Sequence, residues 1–216
     1  MLGLPAPERT LMDYLGGKLR VRTSLLARLK GEGDEGVSLF GGEIRAAELP
    51  GDVASRMGSL TLVRVGKTEH SMEGCACPMG AVSRSFLNNL AMGSGEWVLV
   101  DTEAGIEHFG RGVLEGADYV LVAVDPSHQA VILAAKALRL AEETGKECGI
   151  LLSRVHQQTE PLLRDKLSEK GLVAMSCIPY SENLARAGLE GGRTTDRALD
   201  SRIEAVITAV EASLNE

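Results

Sequence analysis

Glu96-Trp-Val-Leu-Val-Asp101 and Tyr119-Val-Leu-Val-Ala-Val-Asp125 are the two stretches of sequence that decide the fold. Each is a short run of apolar residues that ends at an aspartate. Runs of this kind are typical of strands with both faces buried, as in parallel sheets. Apolar runs at Cys148–Leu152 and Val173–Ile178 predict two further strands.

Helical patterns separate these predicted strands. Ser127 is placed to cap a long helix whose apolar residues recur at helical spacing, at Val131, Ala134, Leu138 and Ala141. Further helices are predicted at 160–169 and 183–189, and at the carboxyl terminus around Ile203, Val206, Ile207, Val210 and Leu214. Strands that alternate with helices predict an α/β fold, with a mainly parallel sheet flanked by helices.

The chain before these strands is less regular. It predicts short helices near 11–15 and 23–29, a strand at Leu60–Val65 and a helix at Ser83–Ala91. Because no repeat or linker interrupts the pattern, we expect residues 1–216 to form a single domain.

The composition is that of an ordinary globular chain and excludes several classes of protein. Hydrophobic residues make up 44% of the 216 residues and charged residues 25%, which argues against disorder. The net charge of -7 argues against a nucleic-acid partner, because binding to phosphates needs an excess of Lys and Arg. No apolar run has the length of a membrane span and no signal peptide is recognisable, so we expect a cytoplasmic protein without a membrane partner.

Asp101 and Gly105 follow the first decisive stretch in a pattern that suits phosphate chemistry. An apolar strand that ends in Asp, with a Gly shortly after it, is the design of a Walker B strand and its switch loop. The carboxylate holds a magnesium-bound water, and a Gly amide can approach a terminal phosphate without a Cβ in the way. Taken alone, the same pattern also describes an aspartate that shapes a turn.

Two of the four cysteines, Cys75 and Cys77, form a Cys-Ala-Cys pair. Two such thiolates can bind Zn²⁺, Ni²⁺ or Cu(I), and a two-fold dimer would supply the two further ligands of a four-coordinate site. A metal-free surface pair and a redox pair remain open alternatives. Cys148 and Cys177 lie in apolar runs and are predicted to be buried core thiols.

The segment Asp101-Thr-Glu-Ala-Gly-Ile-Glu-His-Phe-Gly-Arg-Gly112 resembles the switch region of the nickel-insertion accessory ATPases of carbon monoxide dehydrogenase. Those proteins belong with the nitrogenase iron protein and the MinD/ParA-like P-loop ATPases. Further segments are similar to the same family, namely Leu2-Gly3-Leu4-Pro5, Gly74-Cys75-Ala76-Cys77-Pro78, Val122-Ala-Val-Asp125-Pro126-Ser127 and Ile178-Pro179-Tyr180. The resemblance covers nearly the whole chain.

The resemblance implies a P-loop NTPase-like ATPase that uses ATP and magnesium to assist nickel insertion. It implies a homodimer as the working form and carbon monoxide dehydrogenase, or a related nickel enzyme, as the client. It implies catalytic roles for Asp101 and Gly105. It implies contacts with the nucleotide base for Ser153, Pro179 and Tyr180. It implies that Cys75 and Cys77 bind nickel or zinc.

Two departures from the family pattern bear on the nucleotide. The family opens with a Gly-rich loop whose backbone amides, Lys and Thr cradle the phosphates. The sequence contains no such loop, since Gly66-Lys67-Thr68 lacks the upstream glycine, and we expect the chain to lack the family's first βα unit. Ser153-Arg154 replaces the Asn-Lys that recognises adenine in the family, although a serine hydroxyl can still bond to a base.

These departures leave ATP hydrolysis by this chain open, and two alternatives stand beside the ATPase. One is a metal-binding scaffold that has lost its nucleotide chemistry. The other is a dimer of the nitrogenase iron protein type, in which four thiolates hold an iron–sulfur cluster.

Overall fold

The computed structural model describes residues 3–30, 39–66, 77–102, 105–106, 113–191 and 196–215. They fall into two compact units, an amino-terminal unit of residues 4–116 and a carboxyl-terminal unit of residues 117–216 with residues 1–3. Among the described residues, no helix is both long enough and apolar enough to cross a membrane. The expected single domain over 1–216 stays a prediction.

In its described residues, the amino-terminal unit contains three α-helices and one small antiparallel hairpin. Its elements, in chain order, are α1 (Leu11–Tyr14), α2 (Lys18–Leu29), β1 (Ala54–Met57), β2 (Leu60–Val63) and α3 (Cys77–Asn89). The predicted strand at Leu60–Val65 is confirmed as β2, which pairs with β1. The predicted helix at Ser83–Ala91 is confirmed as the second half of α3.

A capping box fixes the start of α1. The Asp13 amide donates to Thr10 Oγ1 at 3.2 Å, and the Thr10 amide donates to Asp13 Oδ2 at 2.9 Å. These bonds satisfy amides that the first turn of a helix leaves without partners. The adjoining Leu11 and Met12 are buried in a cluster with Val21, Leu49, Val53, Ala54, Val82 and Phe86.

The predicted strand at Glu96–Asp101 is wrong. Residues 96–101 belong to no strand, and no ladder among the described residues includes them. The side chains from Trp97 to Val100 are exposed rather than buried. An apolar run becomes a buried strand only where neighbouring strands satisfy its backbone groups, and the described part of the chain offers this segment no such neighbour.

The carboxyl-terminal unit alternates strands and helices as predicted. Its elements, in chain order, are β3 (Tyr119–Val124), α4 (His128–Glu143), β4 (Glu147–Val155), α5 (Glu160–Ser168), β5 (Ala174–Pro179), α6 (Glu182–Glu190) and α7 (Asp200–Leu214). The strands are arranged in the order β3-β4-β5, and both pairs are parallel. This confirms an α/β fold with a parallel sheet flanked by helices, consistent with a P-loop NTPase-like fold.

One buried cluster joins α4 and α5 to the sheet. It is made of side chains from all three strands and both helices, namely Val124, Val131, Ala134, Ile150, Leu152, Val155, Leu163, Leu167, Ala174 and Cys177. Helix α7 lies against β5 and β4, with Val206 and Val210 buried. Because both connections are crossovers between parallel strands, the carboxyl ends of β3, β4 and β5 lie along the same edge of the sheet.

Candidate functional site

Polar and aromatic side chains collect at the carboxyl ends of the three parallel strands. We call Asp125, Arg154, His156 and Tyr180 the carboxyl-end cluster. Asp125 follows β3, Arg154 and His156 stand at the end of β4, and Tyr180 follows β5. Open parallel sheets bind ligands outside the carboxyl ends of their strands, so this edge is the candidate site.

An ion pair joins the ends of β3 and β4. Arg154 Nη2 lies 3.3 Å from Asp125 Oδ2, and the Ser127 hydroxyl donates to Asp125 Oδ1 at 2.8 Å. The Ser127 hydroxyl oxygen also accepts from the Ala130 amide at 3.1 Å, which confirms Ser127 as the N-cap of α4. Asp125 therefore positions both the N-cap of α4 and the side chain of Arg154.

The backbone of Arg154 has a conformation that residues other than glycine rarely adopt. Its φ is 57°, and the register between β4 and β5 shifts between Ser153 and Val155. This irregularity is a bulge at the end of β4, and bulges commonly re-aim a side chain beside a binding site. A non-glycine residue in the left-handed region costs about 1 kcal/mol or more, so this orientation of Arg154 is maintained against strain.

His156 and Tyr180 form an aromatic pair at the same edge. Their ring centroids are 4.8 Å apart with an interplanar angle of 31°, and both side chains are exposed. The Tyr180 amide donates to the Val155 carbonyl at 3.0 Å, which fixes the backbone between the two rings. An exposed aromatic face of this kind can stack on a planar base.

The three predicted base-side residues lie on neighbouring strand ends. In the parallel register, Ser153 pairs with Ile178, and Val155 pairs with Pro179. The half-buried Ser153 and Pro179 and the exposed Tyr180 are therefore at the same end of the β4–β5 pair. That they contact a nucleotide stays a prediction.

Asp101 and Gly105, the predicted catalytic pair, lie in the amino-terminal unit and are both exposed. Asp101 does not end a strand, because the segment before it is unpaired. Gly105 has a φ of 128°, a conformation that favours glycine and suits a backbone that approaches a ligand closely. Their catalytic roles stay predictions.

The structure describes only one of the two predicted metal ligands. Cys75 lies outside the described residues, and Cys77 is the first residue of α3. Among the residues that the structure does describe, no group of three or more His, Cys, Asp or Glu side chains could hold a metal ion. Metal binding by Cys75 and Cys77 therefore rests on the sequence.

The two other cysteines differ in burial. Cys177 is buried as predicted, whereas Cys148 is only half-buried. Burial, assisted by the negative charges of Glu142 and Glu147, raises the pKa of Cys148 to about 11. Burial and the nearby Glu160 carboxylate also raise the pKa of the Cys177 thiol. Neither cysteine has the lowered pKa of a reactive or metal-binding thiol.

His156 and the contact between Asp125 and Arg154 are the features that sequence reasoning missed. His156 stands directly after β4, where strand ends in a parallel sheet meet, and that position was the signal for it. The ion pair gives no comparable signal, because it depends on the backbone turn at Arg154, which no sequence pattern marks.

Comparisons with known proteins give two groups of relatives. No model of a known protein family matches the chain. The chain is 37% identical, over 191 residues, to the uncharacterized ATP-binding protein MJ0084 of Methanocaldococcus jannaschii, a match that covers 88% of this chain and 74% of that protein. In the same organism, the uncharacterized ATP-binding protein MJ0823 is 33% identical over 141 residues, which are 64% of this chain and 55% of that protein.

The other relative is named for the enzyme that it assists. The carbon monoxide dehydrogenase accessory protein CooC of Rhodospirillum rubrum is 34% identical over 101 residues, which are 47% of this chain and 38% of CooC. The chain therefore spans less than two thirds of CooC and of MJ0823, but more than two thirds of MJ0084.

Proposed function

Because this chain belongs to the family of CooC-like ATP-binding proteins, we propose that it binds an adenine nucleotide at the carboxyl-end cluster. In this proposal the nucleotide state governs capture of a nickel or zinc ion by Cys75 and Cys77 in a cytoplasmic homodimer. The metal is cargo for carbon monoxide dehydrogenase or a related nickel enzyme.

One observation carries the nucleotide part of the proposal. The exposed His156–Tyr180 pair stands beside Ser153 and Pro179 at the carboxyl edge of a parallel sheet. An aromatic face supplies stacking to a purine, and the Ser153 hydroxyl supplies one hydrogen bond to a base edge.

In this proposal, the site makes weaker contacts with the phosphates than with the base. The sequence contains no Gly-rich loop with Lys and Thr, and such a loop supplies most of the contacts to the phosphates in P-loop proteins. We therefore propose that base stacking dominates binding, with an affinity for Mg·ATP of about 1 mM. In this proposal, Asp101 holds a magnesium-bound water and Gly105 approaches the terminal phosphate only when a phosphate-binding loop is also present.

Calorimetric titration tests the nucleotide part. We expect Mg·ATP and adenosine to bind with similar dissociation constants, and Tyr180→Ala to weaken both by about fivefold or more, because base stacking contributes about 1–3 kcal/mol. Tyr14→Ala is the matched control, since Tyr14 is 43% exposed and Tyr180 is 42% exposed. Equal affinities of the two variants, or no binding of adenosine, would contradict the proposal.

Metal titration tests the cargo part. We expect one nickel or zinc ion for two chains, because each protomer supplies two thiolates to a four-coordinate site. Replacing both Cys75 and Cys77 by Ala should abolish binding, whereas Cys148→Ala should leave it unchanged. A stoichiometry of one ion for each chain would show that the thiolates do not meet across a two-fold axis.

A second candidate, which depends on the Cys75-Ala76-Cys77 pair alone, is a metal-binding scaffold without nucleotide chemistry. The two titrations separate the candidates, because the scaffold binds metal through Cys75 and Cys77 and shows no response to adenosine or Mg·ATP. The iron–sulfur alternative is separated by the absorption spectrum of anaerobically purified protein, since a cluster is coloured and zinc is not.

A further inference from the structure

The contact between Arg154 and Asp125 is weaker than their charges allow. It joins Nη2 of Arg154 to Oδ2 of Asp125 at 3.3 Å, whereas a bidentate pair uses both carboxylate oxygens at about 2.7–2.9 Å. The second oxygen, Asp125 Oδ1, accepts instead from the Ser127 hydroxyl at 2.8 Å. A guanidinium has five N–H donors, so a better acceptor than Asp125 can displace it from Arg154.

Arg154 also stands next to the proposed position of the base. The carbonyl of the following residue, Val155, accepts from the Tyr180 amide at 3.0 Å. Asp125 follows β3, and β4 lies between β3 and β5. Because neighbouring strands are about 4.8 Å apart, the end of β4 is within one strand spacing of both other ends. Arg154 is thus placed to contact either Asp125 or a ligand whose base stacks on Tyr180.

The charges at the two strand ends favour one direction for the phosphates of such a ligand. The Ser181 hydroxyl, directly after Tyr180, donates to Asp196 Oδ2 at 2.6 Å. A carboxylate is therefore held at the end of β5, where it repels phosphates. At the end of β4, Arg154 offers a planar cation whose paired donors match phosphate oxygens. A nucleotide with its base on Tyr180 therefore directs its phosphates toward Arg154.

We propose that Asp125 determines the selectivity of this site by competing with the phosphates of the nucleotide for Arg154. The inference rests on the proposed binding of an adenine nucleotide at the carboxyl-end cluster. In the structure, Arg154 pairs with Asp125. When phosphates bind the guanidinium, that pair is lost and the Asp125 carboxylate lies beside another anion, so the contact gains little free energy. This competition accounts for the similar affinities expected for Mg·ATP and adenosine.

Calorimetric titration of Asp125→Asn with Mg·ATP and with adenosine tests the competition. The asparagine keeps a side-chain oxygen for the Ser127 hydroxyl but has no charge to hold Arg154. We expect the dissociation constant of Mg·ATP to fall about threefold to fivefold relative to that of adenosine, which is the scale of one such ion pair. Glu143→Gln is the matched control, because Glu143 Oε1 lies 3.6 Å from Arg139 Nε at the other end of α4.

The same substitution in Arg154→Gly shows whether Arg154 carries the effect. Glycine adopts the φ of 57° without strain, so this background keeps the backbone and removes the guanidinium. Here Asp125→Asn should leave the ratio of the two dissociation constants unchanged. If adenosine binds but the ratio does not respond to Asp125→Asn, responds equally to Glu143→Gln, or responds equally without Arg154, this inference alone is overturned. Absence of adenosine binding to the wild-type protein would overturn the proposed nucleotide site and this inference with it.

Discussion

Arg154 Nη2 lies 3.3 Å from Asp125 Oδ2, so the end of β4 is joined to the end of β3 by a side-chain contact. Arg154 is exposed and its φ is 57°, whereas Asp125 is half-buried and also accepts from the Ser127 hydroxyl. An exposed ion pair contributes about 0–1 kcal/mol, which is no more than the cost of the left-handed backbone. The arrangement therefore suits the positioning of a side chain better than it suits stability.

Substitution of Arg154 separates the backbone cost from the ion pair. Arg154→Ala and Arg154→Gly both remove the contact with Asp125, but only glycine adopts a φ of 57° without strain. We expect the glycine variant to be about 1 kcal/mol more stable to urea unfolding than the alanine variant. Equal stabilities would show that the left-handed conformation is not strained.

Two consecutive leucines on α5 test the packing of the carboxyl-terminal unit. Leu163 is 5% exposed and belongs to the core cluster, whereas Leu162 is 61% exposed. We expect Leu163→Ala to lower the free energy of unfolding by about 2–4 kcal/mol through a cavity, and Leu162→Ala to change it by about 0.5 kcal/mol or less. Similar losses for both variants would mean that α5 packs through a different face.

The capping box of α1 predicts a pH-dependent contribution to stability. The hydrogen bond from the Thr10 amide is the main cause that lowers the pKa of Asp13 below its ordinary value of 3.8. The folded state therefore favours the carboxylate, and its contribution is present above pH 3.8 and is lost as the pH falls through the lowered pKa.

Thr10→Ala tests the other half of the capping box, because it removes the side-chain oxygen of residue 10 but keeps the amide that bonds to Asp13. It should cost about 1 kcal/mol at pH 7 through loss of the N-cap, which thermal unfolding can measure. Asp13→Asn should flatten the acid limb of the stability curve below pH 3.8, to an extent that reflects this one group. An unchanged acid limb would contradict the assigned role of Asp13.

Cysteine alkylation tests the environments of the thiols. With the pKa of Cys148 raised to about 11, only about one thousandth of its thiol is ionised at pH 8. Iodoacetamide should therefore leave Cys148 and the buried Cys177 largely unmodified in the native protein, as mass spectrometry would show. If Cys75 and Cys77 bind metal, zinc should protect both from modification, and rapid labelling of Cys148 would contradict its assigned environment.

The sequence predicted the carboxyl-terminal unit well because its signals are local. The strands at 119–125, 148–152 and 173–178 correspond to β3, β4 and β5, and the helix that Ser127 was expected to cap is α4. Periodicity and caps lie within a few residues of the element that they specify, so they can be recognised without knowledge of the neighbours.

The prediction of a strand at 96–101 was wrong because strand formation there depends on residues far away in the sequence. Its apolar run has the composition of a buried strand, but a strand also needs a neighbour for its backbone groups, and no local pattern encodes that neighbour. The same reason explains why the contact between Asp125 and Arg154 was missed, since it joins residues from two elements through a bulge. The predicted half of the site, Ser153, Pro179 and Tyr180, came from a family resemblance rather than from spacing.

Photo-crosslinking with 8-azido-ATP, followed by peptide mapping, tests most directly whether an adenine base lies at the carboxyl-end cluster. We predict that the label attaches within residues 153–156 or 179–181, that unlabelled adenosine competes with it, and that Tyr180→Ala reduces it while Tyr14→Ala does not. Labelling confined to other segments, or labelling that adenosine does not reduce, would contradict the account.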